Sequence, residues 1–202
     1  MSKIAVIGGT FNPVHYGHIN MVLESIKMLD IDKVLVVPTN ISPHKINGVT
    51  VSPYDRIKMC EIAFKDYDNV IVSDIEITRK GISYTSDTLM QIKKMHPNDD
   101  IYFIVGADMF FTIQQWHNAE DIFKLAIICV VPRGKDNIDK LMFHLHELEN
   151  VGAVIKILNV PIIDISSTDI RAKVAQGQDV ESMVPCGVRD YIYDHKLYFR
   201  GE

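Results

Sequence analysis

Residues 3–18 read KIAVIGGTFNPVHYGH. An unbroken apolar run, Ile4 to Ile7, enters Gly8, Gly9 and Thr10, then an Asn12-Pro13 turn, and then two histidines three residues apart. The run does not alternate, as expected of a strand buried on both faces of a parallel sheet. Directly behind it, Ile19, Val22, Leu23, Ile26 and Leu29 recur at helical spacing across 16–29. A strand, a glycine-rich bend and a helix make the first half of a βαβ unit.

The alternation continues to the end of the chain. KVLVVP (33–38), VIVSDI (70–75), IYFIVG (101–106) and AIICVV (126–131) read as further strands, with VIKIL (154–158) as a sixth. One helix begins after Ser52 as N-cap, with Pro53 at its first position and Asp55 in its first turn. Others are expected over 85–95, 118–124 and 137–149, near SSTDIRAKVA (166–175) and near GVRDYIYDH (187–195). This order predicts an α/β fold: a doubly wound, mainly parallel Rossmann-like sheet with helices on both faces. No linker or repeat interrupts the 202 residues, so 1–202 is read as a single domain, with residues about 165–202 as its helical C-terminal part.

Net charge is −5, which argues against a nucleic-acid partner. Cys60, Cys129 and Cys186 form no C-x-x-C pair and are odd in number, so each is expected to pack as a small apolar residue in a reducing compartment. There is no signal-peptide layout, and the longest apolar run, LAIICVV (125–131), is too short to span a bilayer. The expectation is a cytoplasmic protein with no membrane partner. The oligomeric state stays open, a homo-oligomer included.

Ligands of doubly wound sheets bind beyond the carboxyl ends of the strands. Gly8, Gly9 and Thr10 occupy that place after the first strand, where glycine admits close approach and helix-start amides favour an anion. Neither the P-loop pattern nor the G-x-G-x-x-G dinucleotide pattern is present. His15 and His18 share one face of the first helical turn, at its partly positive end. An anion held there would raise both pKa values, and two imidazolium donors would stabilise charge growing on a phosphoryl group. Capping or packing is the competing reading for each histidine. A metal pair lacks a nearby third ligand.

Other stretches place polar groups after strands or at helix starts. ISSTDIR (165–171) puts Ser166 or Ser167 at an N-cap and offers Ser167, Thr168 and Arg171 to a polyphosphate. In VGADMF (105–110), Gly106 allows close approach and Asp108 suits a ribose diol or a cap. Arg133 of VVPRG (130–134) suits a base or a phosphate, and His44 and Lys45 of TNISPHK (39–45) suit a phosphate monoester. Trp116, the one tryptophan, stands in a polar context, as a plate for a flat ring would. Asp55 and Arg56 are expected to form an ion pair, and HLHELEN (144–150) to be an exposed amphipathic face rather than a metal site.

The first stretch matches Gly-Gly-x-Phe-Asn/Asp-Pro-x-His-x-Gly-His, and the last part of ISSTDIR matches Ser-Ser/Thr-x-x-Ile/Leu-Arg. On these motifs, together with PHK, SYTSDTL (83–89) and TIQQWHNAEDI (112–122), the chain resembles the histidine-signature nucleotidylyltransferase superfamily. Nearly its whole length is similar to the bacterial nicotinate-nucleotide adenylyltransferases. That resemblance implies transfer of AMP from ATP to nicotinate mononucleotide, with deamido-NAD and pyrophosphate as products. It implies His15 and His18 as catalytic residues. It places Gly8, Gly9, Thr10, Phe11, Gly106, Asp108, Arg133, Ser166, Ser167, Thr168 and Arg171 around ATP. His44 and Lys45 would lie near the mononucleotide phosphate, with Trp116 and Thr85 on its pyridine ring. Mg²⁺ would arrive with ATP, without a dedicated protein cage. A phosphopantetheine adenylyltransferase shares two of the motifs but is the more compact form, and a cytidylyltransferase fits less well for similar reasons. A non-catalytic nucleotide sensor on the same fold is the rival of another class. The choice between nicotinate and nicotinamide stays open in the residues, and the resemblance favours the acid.

Overall fold

The computed structural model describes residues 1–43, 51–132, 138–161 and 163–199. Six strands form one sheet in the order β3-β2-β1-β4-β5-β6. They are β1 (Lys3–Gly9), β2 (Lys33–Pro38), β3 (Val70–Val72), β4 (Asp100–Gly106), β5 (Ile127–Val131) and β6 (Ile155–Ile157). Every pairing is parallel. The chain winds outward from β1 to β3, returns to the middle at β4 and winds the other way to β6. β1 and β4 therefore flank the switch point of a doubly wound sheet.

The helices are α1 (Tyr16–Leu29), α2 (Pro53–Phe64), α3 (Ile75–Arg79), α4 (Thr85–Met95), α5 (Ala107–Phe110), α6 (Ala119–Leu125), α7 (Ile138–Glu149), α8 (Ser167–Ala175) and α9 (Cys186–Asp194). The unbroken apolar runs serve two cores, because successive strand residues point to opposite faces. Ala5, Ile7, Val34, Val36 and Ile104 pack with Val22 of α1, Met59 and Cys60 of α2, Ile170 of α8 and Val188 of α9. Ile4, Val6, Leu35, Val37 and Phe103 pack with Leu89 of α4, Ile122 of α6 and Leu141 of α7. The C-terminal helices thus share the core that α1 and α2 cover.

Local details differ from the sequence reading. β1 runs on through Gly8 and Gly9, which pair with Val37 and Pro38, so the glycines end a ladder rather than form a bend. The third strand stops at Val72, because Asp74 turns the chain into α3 and accepts the Thr78 hydroxyl at 2.8 Å. α3 and α5 are too short to show an apolar period. Cys60 and Cys129 are buried as expected, but Cys186 is exposed. It opens α9, whose buried face is taken by Val188 and Ile192. Among the described residues no helix is long and apolar enough to cross a membrane.

Candidate active site

α1 and α8 both begin at the carboxyl edge of the sheet beside β1, and they close on the loop between β1 and α1. His15 is the N-cap of α1, with extended backbone, and is buried. His18 stands in the first turn and is half-buried. Their rings lie 3.7 Å apart between centroids, tilted by 32°, and Phe11 meets His18 edge-on at 5.0 Å. The His15 amide donates to His18 Nδ1 at 3.3 Å. In that contact Nδ1 is the accepting ring nitrogen of His18.

Gly17 explains part of the motif. A Cβ there would lie 3.0 Å from His15 Nδ1 and 3.3 Å from the Ile163 carbonyl, so the His15 ring rests directly on the glycine. Phe11 takes a φ of 47°, rare for a bulky residue. Its ring covers Gly9, where a Cβ would press on it at 3.1 Å, while a Cβ on exposed Gly8 would meet nothing within 4 Å.

The start of α8 is bound to the same loop. Ser166 is the N-cap: its hydroxyl accepts from the Asp169 amide at 3.1 Å and donates to the Asp169 carboxylate at 2.6 Å. Ser167 donates to the Pro13 carbonyl at 2.9 Å. Arg171 donates to the Asn12 carbonyl at 2.8 Å and to the Thr168 hydroxyl at 3.2 Å. Thr10, Ser167, Thr168, Arg171 and the two histidines are thereby brought to one edge.

The other candidates approach from the opposite helix layer. Gly106 is the N-cap of α5, and a Cβ on it would meet the Asp108 carboxylate at 2.7 Å. Asp108 is exposed in the first turn of α5 and does not cap it. Trp116 is half-buried, edge-on to Phe103 at 6.3 Å, and donates Nε1–H to the Thr112 hydroxyl at 3.2 Å. Thr85 opens α4. The segments of Thr85 and Trp116 touch through their neighbours, since the Tyr84 and His117 rings lie 4.2 Å apart. His44, Lys45 and Arg133 lie outside the described residues.

Two expectations fail. Arg56 does not pair with Asp55. Asp55 accepts from the Ser52 hydroxyl at 2.6 Å and from the Tyr191 hydroxyl at 2.9 Å. Arg56 is fully buried and donates to the Thr10 carbonyl at 2.8 Å. The signal was present: Arg56, Met59, Cys60 and Ala63 form an i, i+3, i+4, i+7 stripe on the buried face of α2. In HLHELEN only part of the stretch is exposed. His144 is buried against Phe110 and bonds its carbonyl at 3.2 Å, while His146 pairs outward with Glu149. Among the described residues no group of three His, Cys, Asp or Glu side chains is placed to hold a metal ion.

Comparison with known proteins adds the following. The cytidylyltransferase-like family profile matches residues 6–173. A Clostridium tetani protein named "Probable nicotinate-nucleotide adenylyltransferase" is 34% identical over 199 residues, covering 98% of this chain and all of its own length (100%). A Geobacillus thermodenitrificans protein of the same name is 37% identical, covering 98% of this chain and 87% of its own. Among solved structures, the Plasmodium falciparum nicotinic acid mononucleotide adenylyltransferase complexed with NaAD superposes with a TM-score of 0.79 at 24% identity, covering 98% of each chain. That last likeness speaks for the fold.

Proposed function

From the premise that the chain belongs to the cytidylyltransferase-like family, in its nicotinate-nucleotide adenylyltransferase branch, we propose that it transfers AMP from ATP to nicotinate mononucleotide, releasing pyrophosphate. The observation that carries this is the histidine pair at the start of α1, its rings 3.7 Å apart beside the β1–β4 switch point. The mononucleotide phosphate attacks the α-phosphorus in line, the α-phosphorus–oxygen bond to pyrophosphate breaks, and no protein nucleophile takes part. Catalysis is then positioning and charge stabilisation. His18 donates through Nε2 toward the reacting phosphoryl group, and His15 braces its ring. Thr10 and the amides that open α1 and α8 hold the triphosphate, with Ser167, Thr168 and Arg171 on its β and γ phosphates and Gly8, Gly9 and Phe11 shaping the approach. Gly106 and Asp108 face the adenosine. Trp116 and Thr85 receive the pyridine ring.

Mg²⁺ in this reading is carried by the triphosphate and neutralises its oxygens. The chain's own donors are hydroxyls, amides, imidazoles and a guanidinium, which suit phosphate oxygens rather than a bare metal ion. His44, Lys45 and Arg133 keep their expected roles on the mononucleotide phosphate and on ATP. We place the reaction in the cytoplasm.

The test is pyrophosphate release with ATP and Mg²⁺, offering nicotinate mononucleotide, nicotinamide mononucleotide and phosphopantetheine separately. Best turnover with nicotinate mononucleotide supports the reading. Turnover only with phosphopantetheine overturns the substrate, and ATP binding without any release overturns the activity. His18→Ala should lower kcat by about 10²–10³ with the fold intact, the usual loss for one transition-state donor. Near-normal turnover would remove His18 from that role.

A further inference from the structure

Arg56 is the largest of the fully buried side chains. Burial pushes its pKa down, and among the described residues no carboxylate pairs with it. A buried cation is tolerated only when hydrogen bonds replace its water. Here those bonds go to two loops. Nη1 donates to the Thr10 carbonyl at 2.8 Å, one residue beyond β1, and Nη2 to the Asn40 carbonyl at 3.4 Å, two residues beyond β2. The Asn40 amide donates in turn to the Ser83 hydroxyl at 3.0 Å, and its side chain to the Gly81 carbonyl at 2.9 Å. Ser83 stands two residues before Thr85.

A second anchor reaches the loop from the far end of the chain. The Tyr198 hydroxyl donates to Asn12 Oδ1 at 2.8 Å in a buried bond. Between these anchors lies Phe11, with its φ of 47°. A non-glycine residue persists in that region only where the surroundings hold it.

We propose that Arg56 and Tyr198 are positioning residues for the transfer reaction. They hold Thr10–Asn12 behind the two histidines, and Arg56 couples that loop, through Asn40 and Ser83, to the segment that carries Thr85. The proposal rests on the site assignment above for its effect on turnover, and on the hydrogen bonds alone for its effect on the loop.

Tyr198→Phe deletes one hydroxyl and keeps the ring. It should raise amide hydrogen exchange in residues 8–15 and leave β5 unchanged, and it should lower kcat about tenfold, the loss of roughly one hydrogen bond. The KM for nicotinate mononucleotide should stay within about twofold. In an Asn12→Ala background the same substitution should cause no further loss, because its route of action is gone. Arg56→Lys keeps the charge but loses the fork, and should lower kcat likewise. Tyr193→Phe, whose hydroxyl meets the Gln178 carbonyl at the surface, is the control and should change neither readout. A merely fold-stabilising role predicts a lower Tm with wild-type kcat wherever the variant is folded. Unchanged exchange in residues 8–15 of Tyr198→Phe, or losses that multiply with Asn12→Ala, overturn the proposal. If Arg56→Lys does not fold, Tyr198→Phe still decides it. If the wild-type chain releases no pyrophosphate, the activity assignment fails, while the exchange measurement still decides the loop anchoring.

Discussion

α2 and α8 begin in the same way and end up with different work. Ser52 caps α2 and Ser166 caps α8, each accepting the amide three residues on at 3.1 Å and donating to that residue's carboxylate at 2.6 Å. Each helix then sends one arginine to the loop after β1: Arg56 to the Thr10 carbonyl and Arg171 to the Asn12 carbonyl, both at 2.8 Å. Arg56 is fully buried, whereas Arg171 is half-buried at the edge where the histidines stand. The same cap and the same donor thus give a strut in one helix and, in the proposed function, a phosphate-facing group in the other. What separates them is depth. A guanidinium with no access to solvent can only hold the protein to itself, whereas one at the edge can hold a polyphosphate as well.

The sharpest way to break this contrast is to truncate the two arginines. Arg56→Ala leaves a cavity and two carbonyls without their donor, and should destabilise by about 3–5 kcal/mol, read as a fall in the denaturant midpoint. Arg171→Ala should cost less than about 1 kcal/mol of stability, yet lower kcat/KM by about 10²-fold, mostly through ATP. If Arg171→Ala destabilises as much as Arg56→Ala and spares turnover, the division between strut and ligand group is wrong. Outside the pair, Trp116→Ala should raise the KM for nicotinate mononucleotide about tenfold or more with kcat held, as loss of uniform ring stacking does. An unchanged KM would take Trp116 out of the site. The smallest effects sharpen the comparison instead: Ser52→Ala and Ser166→Ala should each cost about 1 kcal/mol, because the caps are equivalent. Equal losses in thermal unfolding, with activity reduced more by Ser166→Ala, would place the functional difference beyond the caps.

How far the sequence carries depends on the range of the interaction. The caps at Ser52 and Ser166, the pairing of His15 with His18 on one turn and the start of α4 at Thr85 are local, so spacing alone reveals them. The parallel sheet is legible because strands with two cores need unbroken apolar runs. The charge nearest to Arg56 in sequence, Asp55, lies one residue away and therefore on another side of the helix. The real partners of Arg56, Thr10 and Asn40, are 46 and 16 residues away. HLHELEN divides for the same reason, as His144 and His146 stand two residues apart and face different surroundings.

By itself the sequence determined the order of the strands and the longer helices, the family through its motifs, and the hydroxyls and histidines that follow β1 and open α8. All of these are set by periodicity, by caps or by neighbours within one turn. Only the tertiary structure decided that the His15 amide meets His18 Nδ1, that Gly17 is the floor of the His15 ring, and that Arg56 and Tyr198 hold the loop between them. Tyr198 and Asn12 are 186 residues apart, and a hydrogen bond across that distance has no periodicity to announce it. It exists because the segment after α9 packs into the same helix layer as α1 and α2 and so reaches the loop after β1.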